Sequence, residues 1–140
     1  MTYNDQSFWL IKSEPSTWSW ADQVAKGIEP WEGVRNYQAR NNLKAMKIGD
    51  LCFFYHSVKE RSIKGIVEVV SDYRLDPTDH DGVFGLVDVK AVRPLKKSIC
   101  LDQIKLVPAL QEMALLKQSR LSVQPITAEE WAVILHLSGE

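Results

Sequence analysis

Residues that carry the usual enzyme chemistry are scarce in this sequence. It contains three histidines, His56, His80 and His136, and none has a second histidine or a cysteine at metal-ligand spacing. It has no G-x-S-x-G nucleophile motif, no Walker phosphate loop and no dinucleotide-binding glycine fingerprint. A carboxylate pair of Glu14 and Asp50 is conceivable, but no spacing in the sequence brings the two together. We therefore predict a binding protein without catalytic residues, metal ligands or cofactors.

Cysteine and long apolar runs are equally scarce. The two cysteines, Cys52 and Cys100, lie far apart among apolar neighbours, which is typical of buried free thiols in a reducing compartment. No apolar run approaches the ~20 residues that a helix needs to span a bilayer, and the polar start, residues 1–7, is unlike a signal peptide. These absences predict a cytoplasmic protein that has no membrane partner.

Net charge is almost absent as well. The 17 lysines and arginines nearly balance 18 aspartates and glutamates, which gives a formal net charge of -1. No global basic field therefore indicates nucleic-acid binding, and any such site must be local. The composition, 45% hydrophobic and 25% charged, is that of an ordinary globular protein. A chain of 140 residues can build one hydrophobic core and is short for two, so we predict a single domain over residues 1–140.

The periodicity of apolar residues and the positions of turn residues predict a mixture of strands and helices. Strands are predicted at residues 8–12, 51–57, 65–74, 84–93 and 121–124, helices at 16–27, 37–47, 101–106, 109–118 and 127–137, and loops or turns at 28–33, 59–64 and 76–82. The last helix opens with a capping box of Thr127 and Glu130, and Trp131 is expected to pack inward. This order does not alternate as a doubly wound sheet requires, so we predict an α+β fold around a small, partly closed barrel.

One segment, residues 31–42, has an unusual composition and reads W-E-G-V-R-N-Y-Q-A-R-N-N. It is too polar for a core and too aromatic for an ordinary linker. Aromatic faces can stack on a planar ring, amides can read its edge, and arginine can hold a phosphate. The segment indicates a site for a nucleobase or nucleotide. For the nearby Trp18 and Trp20, packing in the core is the favoured interpretation.

Several residues of this segment also have a purely structural interpretation. Trp31 can fold onto the core. Arg35 or Arg40 can form an ion pair with a nearby glutamate such as Glu32. Asn36 can cap the helix that follows it. Both interpretations remain open at the level of the sequence.

Motifs that cover nearly the whole chain occur in an order typical of one family. They are W-L-I-K-S-E-P (9–15), the segment 31–42, G-D-L-C-F-F-Y-H-S (49–57), G-I-V-E-V-V (65–70), V-D-V-K-A-V (87–92) and L-S-V-Q-P-I-T-A-E-E-W (121–131). Together they resemble an EVE domain, with bacterial EVE proteins among the relatives suggested. The resemblance implies a PUA-like fold, a mixed β pseudo-barrel flanked by helices, related to YTH domains that read N6-methyladenosine in RNA. Members of the family are regarded as readers of modified bases in DNA or RNA.

The resemblance also implies where a ligand pocket lies. Ser13 and Glu14 match its start at the end of the first strand, and Trp31 matches an aromatic wall. Many EVE domains place a tryptophan before the V-D-V-K strand, whereas the nearest aromatic here is Phe84, which would stack less surface if it closes the pocket. The candidate ligand-binding residues are Ser13, Glu14, Trp31, Val34, Arg35, Asn36, Tyr37, Gln38, Tyr55, Ser57 and Gln124. The candidate phosphate-binding residues are Lys12, Arg40 and Arg120.

A mechanism of base reading follows from these residue types. A base flipped out of its strand would stack on Trp31 and on Tyr37 or Tyr55. Its edge would be read by Glu14, Asn36, Gln38 and Gln124. Because a carboxylate can accept from the exocyclic amine of cytosine, Glu14 favours a modified cytosine over a modified adenine.

These inferences lead to one predicted function and two alternatives. We predict a non-catalytic module that binds nucleic acid, DNA or RNA, and reads a modified nucleobase, a cytosine or an adenine. The first alternative is a small-molecule sensor that binds a free nucleoside or another planar metabolite in the same pocket. An enzyme that acts on a nucleobase is disfavoured, because the acid-base and metal constellations are missing. The expected partner is a nucleic acid carrying a modified base, and the oligomeric state is left open, with a monomer as one alternative.

Overall fold

A six-stranded mixed sheet lies at the centre of the computed structural model, which describes residues 6–140. The strands are β1 (Phe8–Ser13), β2 (Ile28–Pro30), β3 (Leu51–His56), β4 (Ser62–Val69), β5 (Arg74–Leu75), β6 (Gly85–Leu86), β7 (Asp88–Cys100) and β8 (Val123–Ile126). The order across the large sheet is β2-β7-β4-β3-β1-β8, and β5 pairs with β6 separately. The pair β1 and β3 is parallel, and the other neighbours are antiparallel.

Helices pack on this sheet, which curls into a half-barrel. They are α1 (Trp20–Lys26), α2 (Tyr37–Ala45), α3 (Leu101–Lys105), α4 (Ala114–Lys117) and α5 (Ala128–Leu137), with a 3-10 turn at Pro108–Leu110. The capping box of α5 is confirmed, because Thr127 and Glu130 each accept a hydrogen bond from the other's backbone N–H at 3.0 Å. The predicted α+β class is confirmed as well.

Alternate residues of the central strands face two apolar clusters. Phe54 belongs to one cluster and its neighbour Phe53 to the other, and both are fully buried. On the second side Phe53 stacks on Trp131 with ring centroids 3.8 Å apart, which anchors α5 on the sheet as predicted. Burial on both faces explains why β3 is a continuous apolar run.

The first helix is shorter than the sequence predicts. The sequence predicts a helix over residues 16–27, whereas α1 begins at Trp20. The Ser19 hydroxyl accepts a hydrogen bond from the Asp22 N–H, and the Asp22 carboxylate accepts one from the Ser19 N–H, both at 3.0 Å. This capping box fixes the helix start at Ser19, and the residues before it form a turn.

Two segments that contain proline extend the sheet beyond the predicted strands. The predicted loop at residues 28–33 is wrong in its first half, where β2 forms an edge strand that tolerates Pro30. The predicted strand at 84–93 is divided between β6 and β7, and β7 continues through Pro94 to Cys100. Register shifts in the pairing of β4 with β7 flank Pro94, and such irregularities accommodate a residue without an N–H.

Three further boundaries differ from the prediction. The strand expected at 65–74 is β4, which starts and ends earlier. The helix expected at 109–118 is interrupted, because Met113 is extended with φ of -58° and ψ of 139°. The strand expected at 121–124 is β8, which starts two residues later and includes the exposed Pro125 at the open edge of the sheet.

Within residues 6–140, no helix combines the length and apolar character needed to cross a membrane. Residues 1–5, part of the polar start that we interpret as unlike a signal peptide, lie outside the described residues.

Candidate functional site

A cleft of about 630 Å³ lies beyond the carboxyl end of β1, between the turn before α1 and the loop that follows β2. This volume is within the range of pockets that hold small ligands, roughly 300 to 1,000 Å³. Six of the candidate residues line the cleft: Lys12, Ser13, Glu14, Trp31, Val34 and Arg35. The structure therefore brings together residues from two motifs that the sequence separates.

Trp31 forms one wall of the cleft and also belongs to the core. Its indole ring meets the edge of Phe54 with centroids 5.6 Å apart and an interplanar angle of 81°, and only 8% of the residue is exposed. Its backbone N–H donates to the carbonyl oxygen of Val87 at 2.9 Å. Trp31 therefore packs on the core and also lines the cleft. Its position is compatible with both interpretations of the sequence, a core residue and a pocket wall.

Trp18 also lines the cleft, although the sequence favours its packing in the core. Its indole N–H donates to Gln23 Oε1 at 2.9 Å, and the Ser13 hydroxyl donates to its carbonyl oxygen. These bonds hold a half-buried indole beside the end of β1. Trp20, in contrast, packs edge-on against Phe54 at 5.4 Å, as expected of a core residue.

The loop of residues 31–35 is held by a buried carboxylate. Asp76 Oδ2 accepts a hydrogen bond from the Gly33 N–H at 2.8 Å and one from Arg35 Nη1 at 3.2 Å. The ion-pair partner of Arg35 is therefore Asp76 and not Glu32, because the β5–β6 connection reaches this loop. Burial opposes ionisation of Asp76, but bonds from Thr78, Gly33 and Arg35 outweigh it and lower the pKa of Asp76 to about 2.

Three glutamates give the cleft an acidic rim. Glu29 pairs with Lys26 at 2.5 Å, whereas Glu14 and Glu32 form no ion pair with any residue that the structure describes. A carboxylate without a cationic partner remains a strong acceptor for an N–H donor of a ligand. Glu29 and Glu32 were not among the predicted site residues, although Glu32 lies in the unusual segment.

Tyr37, Arg40 and Phe84 form a group outside the cleft, in which Tyr37 is exposed and the other two residues are partly buried. Tyr37 is 61% exposed, its ring centroid lies 5.2 Å from that of Phe84, and the Arg40 guanidinium lies 5.0 Å from its ring. Phe84 also contacts the Arg35 guanidinium, 5.8 Å from the ring centroid. Phe84 is therefore not part of the cleft lining in this structure.

The remaining candidates are distributed over other surfaces. Asn36 caps α2, since its Oδ1 accepts from the Ala39 N–H at 2.9 Å, which confirms the structural interpretation. It lines a shallow groove together with Gln38 and Arg120. Gln124 is fully buried, and its Nε2 donates to a backbone carbonyl at 2.9 Å, so the structure places it away from the cleft lining.

Tyr55 and Ser57 line a second cavity of about 360 Å³. It adjoins the cleft at Lys12, which lines both. Burial raises the pKa of Tyr55, while nearby Arg61 opposes that shift, so the phenol stays protonated near neutral pH.

The structure places Glu14 and Asp50, the conceivable carboxylate pair of the sequence, far from each other. Because β1 and β3 are parallel with Phe8 beside Leu51, Asp50 lies at the amino end of the pair and Glu14 at the carboxyl end. Asp50 is buried and accepts from the Trp9 indole N–H at 3.0 Å. From Gln6 onward, the structure contains no group of three or more His, Cys, Asp or Glu residues arranged to hold a metal ion.

This chain is similar in sequence and in fold to known proteins. The EVE domain family model matches residues 7–137. Thymocyte nuclear protein 1 of Gallus gallus is 37% identical, covering 94% of this chain and 69% of its own length. The solved structure of Rpa0253 from Rhodopseudomonas palustris has a TM-score of 0.91 and 50% identity, over 95% of this chain and 93% of that chain.

Two solved complexes are also similar. Human THYN1, solved in complex with DNA containing 5-methylcytosine, has a TM-score of 0.90 and 36% identity, over 96% of this chain and 99% of that chain. The YTH domain of Zygosaccharomyces rouxii MRB1, in complex with N6-methyladenosine RNA, has a TM-score of 0.59 and 19% identity, over 95% and 86% of the two chains. The second likeness shows a shared PUA-like fold only. With a family match over nearly the whole described chain, this protein belongs to the EVE domain family.

Proposed function

We propose that this protein is a non-catalytic reader of a modified nucleobase in nucleic acid, with a modified cytosine in DNA as the preferred target. The observation that carries the proposal is the composition of the cleft, where Trp18 and Trp31 accompany the unpaired carboxylates of Glu14 and Glu32. A flat ring with an exocyclic amine needs both kinds of group. The complex of human THYN1 with DNA containing 5-methylcytosine supports the same class of ligand.

The binding step begins when the target base leaves its stack. Extruding a base costs a few kcal/mol of free energy, because stacking and pairing are lost. Stacking on an aromatic side chain offsets about 1 to 3 kcal/mol of this cost. Trp31 is already fixed by its contact with Phe54, so little side-chain freedom is lost when a base stacks on it.

Selectivity among bases would come from the acidic rim. A cytosine presents an N4 amine to a carboxylate, whereas a thymine presents at the same position a carbonyl oxygen that a carboxylate repels. Glu14 or Glu32 would accept from this amine, and a methyl group would contact apolar surface such as Val34. An adenine also carries an amine, so a modified adenine is the next candidate by the same chemistry.

The test is a titration with oligonucleotides that differ only in one base, 5-methylcytosine, cytosine or N6-methyladenine. The wild-type protein should prefer 5-methylcytosine, and Trp18→Ala and Trp31→Ala should each lose this preference. Trp18 is only half-buried, so its variant should keep the fold by circular dichroism even if Trp31→Ala weakens the core. Tyr37→Ala, which removes an exposed aromatic outside the cleft, is the matched control and should keep the preference. Equal discrimination by wild type and Trp18→Ala would refute the proposal.

A sensor for a free nucleoside is the second candidate, and the volume of the cleft is compatible with it. Titration with 5-methyl-2′-deoxycytidine and with its monophosphates separates the two functions. A sensor should bind the nucleoside tightly without any gain from a phosphate, whereas a reader of nucleic acid should gain affinity from the flanking backbone.

A further inference from the structure

The second cavity has a different electrostatic character from the cleft that it adjoins. Lys12 and Arg61 line it, and none of the described residues that line it carries a carboxylate. The cleft, in contrast, carries three glutamates against two cations, Lys12 and Arg35, and Arg35 is paired with Asp76. In a protein with a net charge of -1, this places a small cationic cavity directly beside an acidic one.

The two cavities are joined through the ends of neighbouring strands. Lys12 Nζ donates to the Ser119 carbonyl oxygen at 2.7 Å, and its backbone N–H donates to the Ser122 carbonyl oxygen at 2.9 Å. The Ser57 N–H donates to the Ser13 carbonyl oxygen at 2.9 Å. Ser13 and Ser122 line the cleft, and Ser57 and Ser119 line the second cavity. A ligand that occupied both cavities would therefore pass Lys12, which lines both.

The cations of the second cavity are available to an anion. The ammonium of Lys12 contacts a neutral carbonyl, and burial lowers the pKa of Lys12, a shift that a bound anion would reverse. Arg61 is exposed and forms no ion pair within residues 6–140, while the adjacent Glu60 is bonded to Lys64 at 3.3 Å. A phosphate is the anion that two such cations and nearby hydroxyl groups suit best.

We propose that the second cavity binds the backbone phosphate beside the base held in the cleft, with Arg61 and Lys12 as its cationic contacts. The Tyr55 and Ser57 hydroxyls form no hydrogen bond in the described chain, so each can donate to a phosphate oxygen. The inference rests on the proposed function and extends it, because it assigns the phosphate and the base to separate cavities. It also explains why the acidic cleft need not repel a polyanion.

The test compares Arg61→Ala with Arg61→Lys and with Lys97→Ala in the full chain. Lys97 is an exposed cation of β7 that lines neither cavity, so its variant controls for the loss of one charge. The probes are single-stranded DNA oligonucleotides with and without one 5-methylcytosine, titrated at several salt concentrations. Arg61→Ala should weaken the binding of both oligonucleotides about tenfold. It should also reduce the slope of log affinity against log salt concentration, the salt slope, by about one in magnitude. Arg61→Lys should recover part of the affinity. Lys97→Ala should have a clearly smaller effect.

The outcomes separate this inference from the proposed function. A loss of affinity in Arg61→Ala with an unchanged ratio between the two oligonucleotides supports the phosphate cavity. If Arg61→Ala has no more effect than Lys97→Ala, or weakens only the methylated oligonucleotide, the phosphate cavity is refuted while base reading stands. If the wild type shows no preference but Arg61→Ala still weakens both, base reading fails and the cavity stands. No measurable binding of either oligonucleotide to the wild type would overturn both.

Discussion

The backbone N–H of Trp20 donates a hydrogen bond to His56 Nε2 at 2.9 Å, so the end of β3 holds the first turn of α1. Nε2 can accept this bond only in the neutral imidazole, where Nδ1 carries the proton. Nδ1 lies 3.6 Å from Glu60 Oε1. Burial and the nearby charge of Lys64 lower the pKa of His56, while Glu60 acts in the opposite direction.

Stability should therefore fall in mild acid. The neutral form of His56 is favoured in the folded state, so its contribution is complete above the unfolded pKa near 6.5 and is lost as pH falls through the lower folded pKa. Urea unfolding from about pH 7.5 down to about pH 5 should show a steeper loss of stability for the wild type than for His56→Gln, which keeps an acceptor but does not titrate. Parallel pH profiles for the two proteins would contradict this role of His56.

Neutralising Asp76 should release the loop of residues 31–35. Asp76→Asn removes the charge that Thr78, Gly33 and Arg35 stabilise, so the free energy of unfolding at neutral pH should fall by about 2 kcal/mol, the value of a pKa lowered to about 2. This stability should be present above the unfolded pKa near 4 and lost as pH falls toward 2. Urea unfolding measures the change. The control is Asp81→Asn, an exposed carboxylate of the same connection, and an equal effect of the two variants would refute the assignment.

Gly65→Ala should destabilise the protein through Trp20. A Cβ at Gly65 would lie 2.4 Å from Trp20 Cζ2, so the indole would have to move, at a cost of about 1 to 3 kcal/mol. Gly82→Ala is the matched control, because a Cβ there meets nothing within 4 Å and only its φ of 68° is unfavourable. Thermal unfolding should rank Gly65→Ala below Gly82→Ala, and the reverse order would show that Trp20 adapts without cost.

Local chemistry made several elements predictable from the sequence. The capping box of α5 and the apolar run of β3 depend on residues a few positions apart, and both occur as predicted. The cap of α2 by Asn36 is also local. The family resemblance rests on the order of such local motifs, and the family match confirms it.

The features of the site that the sequence does not predict depend on contacts between residues far apart in the chain. Arg35 pairs with Asp76, 41 positions away, whereas the sequence offered only its neighbour Glu32. Gln124 is buried because β8 pairs with β1, which places it beside Leu10. No pattern in the sequence encodes either register.

Arg40→Ala should separate affinity from discrimination. The Arg40 guanidinium lies over the ring of Tyr37 and does not line the cleft, so we expect it to contact phosphate and not a base held by Trp31. Its loss should weaken methylated and unmethylated oligonucleotides by the same factor and reduce the salt slope by about one, because a phosphate contact carries no base information. Titration at several salt concentrations, with Lys97→Ala as the charge-matched control, measures both quantities. A changed ratio between the two oligonucleotides would instead place Arg40 among the residues that read the base.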